Sequence, residues 1–371
     1  MQIEVMDIFF YVWCVLLAWQ VFHHAFIYFR TATINQVPPA PTQPVSVIVS
    51  ARNERENLEK NLPRWLEQEY PDFEVVVVND GSTDGTSDFL REMESLHSNL
   101  KIVRLDIDER FHRGKKFALT MGIKGSKHEL LLLTDADCYP SSNSWIQHMA
   151  SKFIPGKDIV LGLGHYERNW KPLNWIIQHD TFQTAMNYMN YALAGKPYMG
   201  VGRNLAYRKS LFFKHKGFAS HQHLIAGDDD LFVNEAANSE NVAICLHPDA
   251  ATVSVPHRKP SAYFKQKLRH YSTGRQYKWK HTFWLGIFPT SLLFFVLTTV
   301  FFLLGKTEFT LYVLIGAGFW YILHLSAVSL NAVRLGYPKY AWLSPIFFPF
   351  LILQHVLIGL RGLFYKPLKW N

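Results

Sequence analysis

ELLLLTDADCYP, residues 129–140, is the stretch from which the fold of this chain can be read. A run of apolar residues that stops abruptly at acids predicts a buried strand over Glu129–Thr134, carrying Asp135 and Asp137 to its carboxyl edge. In open α/β sheets that edge is where ligands bind. Two carboxylates one residue apart can share a hard divalent cation, commonly one that holds the phosphates of a nucleotide. The same triplet can also simply open a turn before Tyr139-Pro140, so it does not decide a function by itself.

Working outward, the preceding segments repeat the theme. VSVIVSARNE predicts a β-branched strand from Val45 to Ser50 that runs into a polar turn, and a helical pattern follows from Glu56 to Gln68. FEVVVVNDGSTDGT again runs apolar and stops at acid and glycine. After another helix, a third strand is expected over Lys101–Asp106 and a helix over Gly114–Ile123. Strands alternating with helices predict an α/β fold with a mostly parallel sheet and right-handed crossovers. The polar loops after the first two strands then share an edge with Asp135 and Asp137. Beyond Pro140 the pattern is less regular, with helices expected over Trp145–Phe153 and Trp175–Leu193.

The apolar residues pile up at the two ends of the chain. Ile8–Tyr28 is long enough to span a bilayer as a helix. It has no basic leader region and carries Glu4 and Asp7 in front, so it reads as an uncleaved anchor. Gln20, His23 and His24 lie toward its far end, where they are expected at the interface, the alternative being that they face other helices. Pro38–Pro44 is a stiff extended linker. Phe283–Leu304 and Thr310–Leu330 are two more spanning candidates. Ala341–Leu360 is a third C-terminal element, but Pro345 and Pro349 interrupt it. The expected organisation is an anchor over 1–30, a linker over 31–44, a catalytic domain over 45–279 and a membrane region over 280–371. Arg30 and the basic run before Phe283 orient the domain toward the cytoplasm, with the N-terminus outside. Arg361, Lys366 and Lys369 then favour a re-entrant or in-plane last element.

Net charge of +8 and a pI near 9.2 are compatible with nucleic acid, yet the chain has no basic arm, finger or RNA-binding signature. Beside membrane-length segments, excess Lys and Arg instead marks a cytoplasmic face near anionic lipid. The three cysteines, Cys14, Cys138 and Cys245, lack metal-ligand spacing and fit a reducing compartment.

In order and spacing, SVIVSARNE, NDGSTDGT and LLTDADC resemble the motifs of a family 2 glycosyltransferase with a GT-A nucleotide-sugar fold. The membrane-flanked layout is similar to the branch that includes cellulose, hyaluronan and ceramide glucosyl synthases. The resemblance covers about Val45–Trp279. It implies that Asn53, Glu54 and Asp80 face the nucleoside, although Glu54 can also cap the next helix. It implies that Lys115 faces a phosphate; Lys116 either shares that role or lies on a solvated helix face. Asp135 and Asp137 match the family's metal-binding triplet, which implies Mg2+ or Mn2+, with Asp137 the more direct ligand.

AGDDDLFVNEAA, from Ala226, could be only an acidic helix start. It resembles the family's catalytic acidic motif, and that match makes Asp229 the general base; aligning on Leu231 selects Asp228, and Asp230 completes the cluster. GVGRNLAYRKSLF resembles the acceptor-lining segment, which implies acceptor contacts for Gly202, Arg203 and Asn204. Gln266, Arg269 and His270 match the Gln-x-x-Arg-Trp motif beside the diphosphate, with His270 in place of the Trp. The same helix can alternatively be a basic interfacial one. His221 and His223 are expected in loop or surface roles.

The implied function is inverting, metal-dependent sugar transfer from a nucleotide-diphosphate donor, UDP by commonness. The acceptor is a lipid-linked or glycolipid molecule or an envelope glycan, and no nucleic-acid partner is expected. A processive polysaccharide synthase is the first alternative. A sugar-phosphate nucleotidyltransferase or a non-catalytic nucleotide-sugar-binding membrane protein stands for another class.

Overall fold

The computed structural model describes residues 5–34, 43–105, 114–224 and 226–343. The described residues divide into two compact units: 5–34 together with 277–343 form one, and the residues between form the other.

The first unit is helical. It comprises α1 (Val5–His23), α10 (Trp279–Gly305) and α11 (Thr310–Arg334), with α1 running on through a π-helical turn, His24–Tyr28, and a 3-10 turn, Arg30–Thr33. Val5–Thr33, Trp279–Gly305 and Thr310–Arg334 are each long and apolar enough to cross a membrane. The expected Pro-interrupted element over Ala341–Leu360 lies almost wholly outside the described residues. Polar side chains tie the three helices together. Gln20 donates to Ser291 Oγ at 2.9 Å, Trp13 Nε1 donates to Thr299 Oγ1 at 2.8 Å, and the rings of His24 and His324 are hydrogen-bonded at 3.0 Å. Asn331 accepts from Thr31 at 2.9 Å and donates to the Tyr28 carbonyl at 2.7 Å. Gln20, His23 and His24 are therefore not interfacial as expected but fully buried between helices. In apolar surroundings a polar side chain is held by another polar group or not at all, which turns such residues inward.

The second unit contains, in chain order, β1 (Val45–Ala51), α2 (Arg55–Leu66), β2 (Phe73–Asp80), α3 (Thr86–Leu96), β3 (Leu100–Leu105), α4 (Gly114–Gly125), β4 (Leu130–Asp135), β5 (Cys138–Pro140), α5 (Trp145–Ala150), β6 (Ile159–Leu161), β7 (Gly164–Tyr166), α6 (Pro172–Leu193), β8 (Leu205–Arg208), α7 (Lys209–Lys214), α8 (Asp230–Ala236), β9 (Val242–Ile244), β10 (Thr252–Ser254) and α9 (Pro260–Gly274). β1, β2 and β4 are valine- and leucine-rich and buried on both faces, as central parallel strands require. The main sheet has the order β3-β2-β1-β4-β8-β6-β9, and a small second sheet has the order β5-β10-β7. The fold is thus α/β with a mostly parallel sheet, as the sequence predicts.

Register fixes what shares the carboxyl edge. Ala51 pairs with Asn79, and Ser50 with Asp135, so the loops after β1, β2 and β4 emerge side by side. β8 runs antiparallel to both its neighbours, with Leu205 opposite Leu133 and Leu161. Its approach loop, Gly200–Asn204, is consequently delivered to that same edge.

Candidate functional site

The loops after β1 and β2 are laced to each other by short polar side chains. Asn53 adopts φ +57°, accepts from the Thr83 N–H at 2.8 Å and donates its own N–H to Ser82 Oγ at 3.0 Å. Asp84 accepts from the Arg55 N–H at 3.1 Å and from both the N–H and the hydroxyl of Thr86. Glu54 occupies the position before α2, yet its carboxylate makes no cap bond and instead accepts from Asn57 at 2.6 Å. Desolvation and the charges of Asp137, Asp135 and Asp84 raise its pKa. Glu54 therefore belongs electrostatically with the acidic pair at the end of β4. Asp80 ends β2 half-buried on the same edge.

Asp135, Asp137 and Cys138 present donor atoms within 4.8 Å of one another. The Cys138 thiol is buried and bonded to Ser254 Oγ at 2.9 Å, which leaves the two carboxylates as the candidate ligands for a cation. Asp137 faces solvent, and its pKa is raised by partial desolvation and by the Asp135 charge. A hard octahedral ion taking one or two carboxylates plus phosphate oxygens fits this donor set. Another donor group, His148, His247 and Asp249, also clusters within 4.8 Å. There the two rings stack with centroids 3.7 Å apart and planes 13° apart, so their in-plane lone pairs run side by side and do not converge on one ion.

Lys115, in the first turn of α4, joins the acids of β4 to those before α8. Its ammonium lies 2.8 Å from Asp135 Oδ1 and 2.7 Å from Asp228 Oδ2. Burial opposes its charge, but Asp135, Asp228 and Asp229 hold it protonated well above the usual lysine range. Lys116 is buried, not on a solvated face: its ammonium donates to the carbonyls of His221 at 2.6 Å and Leu224 at 3.3 Å. Desolvation lowers its pKa to about 8. The two lysines together clamp the segment that leads into the acidic run.

Within that run each carboxylate has its own partner. Gly227, at φ +101°, sets the turn, and a Cβ there would collide with Leu231. Asp228 is buried and, against the effect of burial, kept ionised by Lys115. Asp229 accepts from the Gly202 N–H at 2.7 Å and, as the cap of α8, from the Asp230 N–H at 2.8 Å. Desolvation and the charges of Asp228 and Asp230 push its pKa up to about 7. Asp230 is buried and accepts from Leu231 N and from Thr273 Oγ1. Asp228 is thus held as an ion-paired anion, whereas the pKa of Asp229 lies near neutrality.

Gly202 lies against that carboxylate: a Cβ there would sit 3.3 Å from Asp229 Oδ2. Arg203 stacks over the Tyr166 ring at 4.4 Å, donates to the His165 carbonyl at 3.2 Å, and its charge acts on Asp137. Asn204, expected beside an acceptor, is a correction. It is fully buried, donates to the Leu163 and Ala250 carbonyls at 2.8 and 2.7 Å, and accepts from Trp145 Nε1 at 3.1 Å. Its amide thus ties α5, the Leu163 carbonyl and the 3-10 turn Pro248–Ala250 to the loop before β8.

α9 carries the last predicted group. Gln266 donates to the Tyr166 hydroxyl at 3.4 Å, and Lys267 pairs with the buried Asp180 of α6. Arg269 is exposed. Desolvation and the charges of Lys267, Arg269 and Arg203 hold His270 neutral, with Asp228 acting in the opposite sense, which brings this helix electrostatically to the acidic run. Tyr166, which joins Arg203 to Gln266, and Thr273 were not marked by any motif: Tyr166 ends a three-residue strand, and Thr273 lies past the motif on the same helix.

Comparison with known proteins matches residues 46–215 to the family described as "Glycosyl transferase family 2". Poly-beta-1,6-N-acetyl-D-glucosamine synthase of Staphylococcus epidermidis is 36% identical over 93 residues, which is 25% of this chain and 21% of that protein. Glycosyltransferase AglE of Haloferax volcanii is 36% identical over 121 residues, 32% of this chain and 38% of the relative. The matched part thus spans well under half of either relative. In three dimensions the chain is similar to the mannosyltransferase PcManGT from Pyrobaculum calidifontis in complex with GDP-Man and Mn2+, with a TM-score of 0.56 and 20% identity over 91% of this chain and 97% of that one. Residues 46–215 thus match glycosyl transferase family 2, and the mostly parallel sheet with its acidic edge and laced loops has a GT-A fold, beside three long apolar helices.

Proposed function

We propose that the protein is an inverting, divalent-metal-dependent glycosyltransferase that moves a sugar from a nucleotide-diphosphate donor to a lipid-linked, glycolipid or envelope-glycan acceptor at the cytoplasmic face of a membrane. The observation that carries this reading is the bridge made by Lys115. One ammonium within 2.8 Å of both Asp135 and Asp228 ties the edge suited to a metal diphosphate to the loop that presents Asp229. The structural neighbour's GDP-Man and Mn2+ support a nucleotide sugar and a metal in this class of site.

A sugar hydroxyl is a poor nucleophile until its proton is removed in the transition state. Asp229, oriented by the Gly202 N–H and with a pKa about 7, accepts that proton on its carboxylate. The hydroxyl oxygen forms its bond to the anomeric carbon as the bond to the diphosphate oxygen breaks on the opposite face, so configuration inverts and no enzyme ester forms. Lys115 and Arg203 offset negative charge on the leaving diphosphate. Asp135 and Asp137 would hold Mg2+ or Mn2+, which supplies further charge stabilisation for the leaving group. Glu54, Asp80 and Asn53 border the space for the nucleoside, and Gln266, Arg269 and His270 face the diphosphate from α9. The excess of Lys and Arg flanking the apolar helices supports the cytoplasmic side.

The second reading, a processive synthase, is favoured by the likeness to a poly-N-acetylglucosamine synthase. The discriminating experiment incubates membranes containing the protein with a panel of labelled UDP-, GDP- and other nucleotide sugars, plus Mn2+. Label in a lipid extract supports single transfer, and label in high-molecular-weight material supports polymerisation. Release of pyrophosphate in place of a nucleoside diphosphate overturns sugar transfer. Asp229→Asn is expected to abolish transfer and keep donor binding; turnover equal to wild type removes Asp229 as the base.

A further inference from the structure

Three acids in succession, Asp228, Asp229 and Asp230, each bond to a different part of the second unit. Asp228 reaches Lys115 on α4, and Asp229 reaches the Gly202 N–H on the loop before β8. Asp230 reaches Thr273 on α9, through a hydroxyl 2.5 Å from its Oδ2. Both partners of that last contact are almost fully buried, Thr273 3% and Asp230 7% exposed. The Thr273 hydroxyl also lies 2.7 Å from the His270 carbonyl one turn earlier on α9, so its single proton is shared between the helix and the acid. Asp230 in turn accepts from Leu231 N in the first turn of α8, which Asp229 caps.

Resting on the reading of Asp229 as the base, we propose that Thr273 is a positioning residue: through Asp230 it registers the helix bearing Gln266 and Arg269 against the first turn of the helix that presents Asp229. A carboxylate accepting from a buried hydroxyl is a short, directional, charge-assisted contact. It sets the distance between the two helices more narrowly than apolar packing does. The Lys267–Asp180 pair and the Gln266–Tyr166 bond fix α9 to α6 and β7 and set its position along the sheet. The Thr273–Asp230 bond, by contrast, ends on the acidic run. The base and the diphosphate-facing side chains must be correct together when the hydroxyl attacks, and a small misplacement of either lowers the rate. A contact that aligns two groups already built into the protein acts on turnover and leaves donor affinity nearly intact.

The test uses the purified full-length protein with the nucleotide sugar that supports transfer in the panel experiment. Thr273→Val is expected to lower kcat about tenfold with donor KM within about twofold, and Thr273→Ser to restore most of the loss. Asp230→Ala and the double variant Thr273→Val/Asp230→Ala are expected to have the same kcat, because the two residues act as one unit. Hydrogen exchange at the Leu231 and Phe232 amides, which needs no substrate, should speed up in Thr273→Val and return in Thr273→Ser. If the valine variant does not fold, Thr273→Ala, which adds no bulk, takes its place. An unchanged kcat, additive losses in the double variant, no rescue by serine, or unaltered exchange overturns the proposal. Retained turnover in Asp229→Asn overturns the underlying base assignment instead and leaves the exchange result standing on its own.

Discussion

Replacing Lys115 with methionine tests the electrostatic core of the site, because it is expected to move two quantities in opposite directions. The side chain keeps its length and loses its charge. Its ammonium is 2.8 Å from Asp135 and 2.7 Å from Asp228, so a divalent ion arriving at Asp135 meets a carboxylate already paired. A hydrogen bond to a charged group contributes about 1.5–3 kcal/mol net. At about 1.4 kcal/mol per factor of ten, removing the internal competitor should tighten Mn2+ binding by roughly 10- to 100-fold. The donor loses a phosphate partner in the same variant, so its KM should rise by about tenfold or more. Mn2+ affinity is read by calorimetric titration of the full-length protein without donor, and KM from initial rates of transfer. Mn2+ binding that is unchanged or weaker in a folded Lys115→Met protein refutes the idea that this lysine occupies the cation's place.

Two other outcomes follow from the same geometry. Because Asp229 must be ionised to accept a proton and its pKa is pushed up to about 7, kcat/KM should rise about tenfold per pH unit below that value and level off above it. A profile that is flat between about pH 5 and about pH 9 contradicts this assignment. Gly202→Ala would put a methyl 3.3 Å from Asp229 Oδ2, closer than the carboxylate tolerates without moving a few tenths of an ångström. It should cut kcat by roughly three- to tenfold with little change in melting temperature, and a wild-type kcat would show that the base does not depend on this loop.

The strands that end in acids were legible because the signal is local: Val45–Ala51, Phe73–Asp80 and Leu130–Asp135 are apolar runs whose last residues change character at the sheet edge. The small sheet of β5, β10 and β7 was not legible, since strands of three residues carry too little pattern to be told from loop. Side-chain roles were harder still. Asp228, Asp229 and Asp230 are identical in type and adjacent in sequence, and only their distant partners Lys115, Gly202 and Thr273 give each a different task. Asn204 shows the converse. A polar residue inside a recognisable motif is used up by main-chain carbonyls from two other segments, a demand that no local spacing reveals. Lys116 and the paired histidines at the end of α1 fail for the same reason, because whether a polar side chain meets water or protein is decided by elements a hundred or more residues away.

The reversal of β8 bears on how such a chain can diversify. Since β8 runs against both strands beside it in the main sheet, its entrance at Leu205 opens on the acidic edge, and its exit at Arg208 leads directly into α7 at the opposite edge. An insertion between β8 and α7 would lengthen the molecule far from the chemistry, at the cost of the bonds from Lys209 and Ser210 to Glu129. A single residue added between Gly200 and Asn204 would instead shift the Gly202 N–H off Asp229. The two ends of one four-residue strand are thus expected to differ in what an insertion does to the reaction. Sequence length variation across that strand is therefore a map of which face of the sheet the reaction occupies.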